Sequence, residues 1–154
     1  MNFAKLLTPQ AVKVLSSTTS KKRLLTELAE LAETAYGLNT AAVMEALLAR
    51  EALGPTGVGH GIALPHARLD SVKVVTGLFV LLEKPVDFGS VDRQPVDIAF
   101  ALFAPENAGV EHLKALALVS RTLRDATICA KLRANPSAET LYTILTEAEG
   151  LKAA

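Results

Sequence analysis

The chain has 154 residues, half of them apolar and 21% charged, which suits one packed domain and excludes a disordered region. Sixteen basic residues balance sixteen acidic ones, and the basic cluster Lys21-Lys22-Arg23 is too small for a nucleic-acid footprint. The lone cysteine, Cys129, excludes an intramolecular disulfide and fits a reducing, cytoplasmic compartment.

From the N-terminus, Met1-Asn2-Phe3-Ala4-Lys5 lacks the basic stretch and apolar core of a signal peptide. Residues 3 to 19 mix apolar and small polar positions and read as mostly irregular. Ser20 can cap a helix with the stripe Leu24, Leu28, Leu31 and Ala35, stopped by Gly37. Asn39 or Thr40 can cap a second helix that runs to about Leu53 and ends at Gly54-Pro55. A glycine-rich loop follows, with a short strand near Ile62 to Leu64. Val74 to Leu82 is apolar at successive positions, as in a central strand covered on both faces, and is too short to cross a bilayer. Glu83 to Pro95 predicts a turn or hairpin excursion, and Val96 to Phe103 a second buried strand. Helices are expected from Val110 to Leu123, after Asp125, and after Ser137. The fold class is therefore α/β, a single layered domain with a mixed central β-sheet flanked by helices on both faces.

The segment Thr56-Gly57-Val58-Gly59-His60-Gly61-Ile62-Ala63-Leu64-Pro65-His66 carries the strongest chemical signal. Glycines let backbone N–H groups converge on an anion, so Thr56, Gly57, Gly59 and Gly61 are candidates to cradle one. Pro65 limits the swing of His66, and a neutral imidazole is a nucleophile near neutral pH. A solvated histidine after a turn is the alternative. His112 falls on one helical face with Leu116, Val119 and Leu123, so it is expected to point inward at the start of its helix. There it either faces an anion at the positive end of the helix dipole or is a core histidine bonded to a backbone carbonyl. Arg50 follows Val43 by seven and Leu47 by three on the apolar stripe. It either forks onto phosphoryl oxygens or complements the C-terminus of its helix. A zinc site from His60, His66 and His112 finds no His-Glu-x-x-His helix or cysteine pair in support, so no metal is expected.

Together, Arg50-Glu51, Thr56-Gly57-Val58-Gly59, Ile62-Ala63-Leu64-Pro65-His66 and His112-Leu113-Lys114-Ala115-Leu116-Ala117 resemble one family. It is the enzyme IIA domain, mannitol/fructose type, of the bacterial phosphoenolpyruvate phosphotransferase system. Pro85-Val86-Asp87-Phe88, Asp92, Pro95-Val96-Asp97 and Ala104-Pro105-Glu106-Asn107 are similar to its nitrogen-regulatory branch. The likeness covers nearly the whole chain and implies one such domain over residues 1–154. It implies that His66 accepts a phosphoryl group on Nε2 from a histidine phosphocarrier protein of the HPr or NPr type, with His112 and Arg50 stabilising it. No cofactor is implied, and no membrane insertion. The implied partners are regulatory proteins such as a potassium transporter or a sensor kinase. His60 departs from the asparagine that the family often has there; it is either a second imidazole near the site or a solvated one. Two other functions stay open: a fructose- or mannitol-specific donor to a IIB permease domain, and a non-catalytic module binding an anion or a partner.

Overall fold

The protein is described here by a computed structural model covering residues 1–153, with side chains through Ala148. The first nineteen residues are more regular than their composition predicts. Phe3–Leu6 forms a single helical turn, α1, capped by the Asn2 side chain. A 3-10 turn over Pro9–Ala11 then leads into strand β1, Val12–Leu15. Strand β1 pairs in parallel with a longer strand, and that pairing supplies the regularity its four residues cannot signal alone.

Helix α2, Lys21–Tyr36, starts where the Ser20 side chain accepts from the Arg23 amide and stops at Gly37, which is left-handed at φ 70. Helix α3, Thr40–Ala52, is capped by Asn39. In the glycine-rich segment β2 (Gly57–Gly59) forms where a loop is expected, β3 (Ile62–Ala63) is the short strand expected near Ile62 to Leu64, and the two make a hairpin followed by strand β4 (His66–Arg68). Two long strands follow, β5 (Thr76–Val86) and β6 (Val96–Ala104). The strand expected over Val74 to Leu82 is displaced: Val74 is 67% exposed ahead of it, and the strand continues through Glu83 and Lys84 to Val86. There Val86 pairs with Val96 beyond a register shift, closing the hairpin anticipated between the two strands. Helices α4 (Val110–Leu123), α5 (Ala126–Arg133, capped by Asp125) and α6 (Ala138–Ala153) complete the chain.

The six strands form one mixed sheet in the order β1-β5-β6-β3-β2, with β4 also paired to β6. Strand β5 is antiparallel to β6 and β2 antiparallel to β3, while β1 lies parallel to β5, and β3 and β4 lie parallel to β6. Gly77 to Leu82 and nearly all of β6 are buried at successive positions, so both faces are covered. Phe3 of α1 and Phe79 of β5 both pack edge-on against Phe100 of β6, at 5.6 and 6.2 Å. Tyr36, at the end of α2, donates its hydroxyl to the carbonyls of Leu6 and Gly77, which ties α1, α2 and β5 together.

This topology sets the position of the site. Strands β3 and β4 lie in succession along β6, at Ile98–Ala99 and then Leu102–Ala104. His66 therefore sits toward the C-terminal end of β6, from which Pro105 to Gly109 lead into α4. Ligand sites of open α/β sheets lie at this end of the strands.

Candidate functional site

His66 begins β4 half-buried, and both of its ring nitrogens are engaged. Its Nδ1 lies 2.9 Å from the carbonyl oxygen of Leu64, which can only accept, so Nδ1 carries the proton. The neutral ring then has its lone pair on Nε2, and the Arg50 Nε–H donates to that atom at 3.2 Å. Arg50 is held by a second bond, from a terminal guanidinium nitrogen to the Gly54 carbonyl at 2.9 Å. Val43 and Leu47, on the same stripe of α3, are buried in the core and turn Arg50 toward β4. The guanidinium thus does more than complement its own helix end.

His112, the third residue of α4, is 5% exposed, and its ring meets that of His66 edge-on at 5.7 Å between centroids. Its Nε2 is buried without a hydrogen bond. Burial first, then the charges of His66 and Arg68, hold its pKa below the ordinary value. The buried face of α4 holds His112, Val119 and Leu123 as predicted, joined by Ala115, Leu118 and Thr122, whereas Leu116 is only half-buried. Arg68 leans away to the Glu106 carbonyl at 2.9 Å.

The structure brings Arg50, His66 and His112 together from α3, β4 and α4. It treats the other candidates differently. Thr56 is buried and donates its amide to Glu51 at 3.0 Å and its hydroxyl to the other oxygen of the same carboxylate. Lys21 also reaches Glu51, at 2.9 Å, while lying over the Phe88 ring. Gly57 must be glycine because a Cβ there would fall 2.2 Å from the Ser90 hydroxyl. Leu64 donates its amide to the Thr56 carbonyl, which ties the start of β2 to the segment leading into His66, but the Thr56 amide is committed to Glu51 and is not free for an anion. Gly59 and Gly61 are not brought to His66. The Gly61 carbonyl accepts from the Asp97 and Ile98 amides, and its neighbour Ile62 pairs with Ile98, four residues along β6 from Leu102 opposite His66, or about 13 Å away. A φ of 79 at Gly61 and the close approach of Arg133 and Asp97 account for the glycine. His60 shares that far turn. Two contributors escaped the sequence reading, the Leu64 carbonyl and the Glu51 carboxylate. Backbone groups leave no residue-type signal, and the role of Glu51 shows only once the fold brings Thr56 and Lys21 to it.

Residues 5–148 match the family described as the phosphoenolpyruvate-dependent sugar phosphotransferase system, EIIA 2, a span that contains all three converging side chains. The chain belongs to that family. Within EIIA it sits with the nitrogen-regulatory branch. It is 48% identical over 145 residues to a nitrogen regulatory protein of Bradyrhizobium diazoefficiens, covering 94% of this chain and 95% of the other. The nitrogen regulatory protein of Escherichia coli is 48% identical over 133 residues, 85% of this chain and 81% of its own. Among solved structures, the nitrogen regulatory protein IIA-Ntr of Neisseria meningitidis superposes with a TM-score of 0.85 at 40% identity, over 94% of this chain and 99% of that one. EIIA proteins are phosphotransfer components. Among the described residues, no helix is long and apolar enough to cross a membrane.

Proposed function

We propose that this EIIA chain is a regulatory phosphocarrier that receives a phosphoryl group on His66 and presents different surfaces in its two states. The observation that carries the reading is the pair of bonds on the His66 ring. Leu64 holds the proton on Nδ1, and Arg50 meets the free lone pair on Nε2. The donor is a phosphohistidine on a small carrier protein of the HPr or NPr type. His66 Nε2 attacks the phosphorus, the donor's P–N bond breaks, and its electron pair returns to the donor ring. Arg50 releases the Nε2 lone pair as the donor docks, shifting to the phosphoryl oxygens, where a guanidinium forks well. His112 Nε2, buried beside the same ring, turns toward the remaining oxygen. Residues 1–154 act as one such domain in the cytoplasm, and partners linked to nitrogen or potassium control read the added charge.

Incubation with phosphoenolpyruvate, enzyme I and a phosphocarrier should give an acid-labile modification that maps to His66 and is lost in His66→Ala. A chain that stays unmodified overturns the reading. A second reading, donation to a sugar permease, draws on a fructose-specific EIIA component of Haloferax volcanii, 36% identical over 106 residues and 69% of each chain. Transfer from the phosphorylated protein to a fructose-type IIB domain would favour that reading over the regulatory one.

A further inference from the structure

A cleft of about 590 Å³ opens between the β2–β3 hairpin and the junction of α4 with α5, within the size range of small-ligand sites. Its floor is apolar: Ile62, Leu64, Leu123 and Cys129 are buried there, and Val58 stands half-exposed at the mouth. Its polar groups are His60, Ser120, Arg124 and Arg133, and no carboxylate lines it among the described residues. Arg133 is already neutralised by two bonds to Asp97, both 2.9 Å. Arg124 is exposed and has no ion pair or side-chain hydrogen bond among the described residues. The cleft therefore has one uncommitted guanidinium above an apolar floor.

The hairpin wall is held firmly. His60 has φ 57, a conformation that glycine or asparagine adopts with less strain. It is fixed from both sides, its amide donating to Asp92 at 2.9 Å and its carbonyl accepting from Arg133 at 2.8 Å. Strained residues persist where surrounding structure over-determines them, and they cluster at ligand clamps. Here the strain sets an imidazole on a wall of the cleft that Arg124 also lines.

We propose that this cleft binds a compact amphipathic carboxylate, its hydrocarbon body on Ile62, Leu64, Leu123 and Cys129 and its charged end on Arg124 and His60. A guanidinium matches a carboxylate bidentately, and burying the body removes apolar surface from water. A free phosphate fits less well, since it brings two charges to one uncommitted guanidinium and leaves the floor uncovered. The cleft lies behind the reactive ring, because Leu64 lines it while its carbonyl holds His66 Nδ1. Binding needs no phosphoryl donor, so its failure would leave the phosphocarrier reading standing.

Titrating octanoate into the ¹⁵N-labelled full chain tests this, with octan-1-ol as the neutral control of equal length. Octanoate should shift the amides of Leu64, Leu123 and Cys129 saturably and bind more tightly than the alcohol. Arg124→Gln should weaken it about tenfold, the loss expected for a charge-assisted contact. Ala126→Phe, at the exposed start of α5, should block the cleft, and His66→Ala should keep the affinity. The proposal is overturned by an absence of saturable shifts at those amides, by equal affinity for the alcohol, or by an unchanged affinity in Arg124→Gln or Ala126→Phe. Loss of binding in His66→Ala would place the carboxylate at the other site and overturn it equally.

Discussion

The tautomer of the His66 ring is set by one backbone carbonyl. With Leu64 accepting from Nδ1, the lone pair must be on Nε2, and Arg50 is already aligned with it at 3.2 Å. Arg50→Ala should slow transfer to His66 by about a hundredfold, the scale for removing one preorganised donor, and Arg50→Lys should recover only part of that. Single-turnover phosphorylation decides this, and equal rates in all three proteins would remove Arg50 from the chemistry. His112 makes a separate prediction through pH. Its folded pKa lies below the ordinary 6.5, so on acidification the unfolded chain binds a proton before the folded chain does. Stability is therefore intact above that value and is lost as pH falls below it, down to the folded pKa. Between about pH 7.5 and 5.5 the urea midpoint should drop further in the parent than in His112→Gln. Parallel slopes would contradict the assignment. His66, His112 and Arg50 were legible in the sequence because each combines a chemical group with an informative neighbourhood. The Leu64 carbonyl was not, since every residue has one.

The element that organises the site is the turn from α3 into β2, which Glu51 secures. Its side chain is 6% exposed and accepts both polar hydrogens of buried Thr56, with Lys21 as counter-ion. Glu51→Ala leaves those donors without their acceptor and should cost about 2–3 kcal/mol, whereas Glu51→Gln keeps one acceptor and costs less. The Gly54 carbonyl that holds Arg50 lies in the same turn, so Glu51→Ala should also slow phosphorylation of the fraction that remains folded. Chemical denaturation combined with the transfer assay measures both. Helices were readable at this scale because their caps are side chains: Ser20, Asn39 and Asp125 each accept the amides expected of them. Strands β1, β2, β3 and β4 have four, three, two and three residues, too few for any periodicity to show. They exist because β5 and β6 offer them partners. The shifted start of β5 has a related cause. An apolar run marks what can be buried, and the sheet's register decides where burial begins.

Across the whole molecule, the sequence pattern specified the α/β class because two long apolar strands must be covered on both faces and the remaining chain is amphipathic helix. Strand order was hidden, since it is set by which edges of β5 and β6 the short strands reach. The surface adds a feature that neither pattern nor core explains. Leu53 is 84% exposed three residues after Arg50, and Val110 and Leu113 are 63% and 67% exposed on either side of His112. Single exposed apolar residues are ordinary, but these flank the two helix ends that meet at one reactive ring. If His66 receives a phosphoryl group as proposed, a protein donor must cover that ring, and the rim gives it apolar surface to bury. Leu113→Glu should therefore slow transfer from the phosphocarrier about tenfold, as loss of an interface anchor does. Phosphorylation by phosphoramidate, a donor too small to touch the rim, should stay within about twofold, because Arg50 and His112 are untouched. If both reactions slow together, Leu113 acts on the chemistry through His112. If neither slows, the donor approaches from another side.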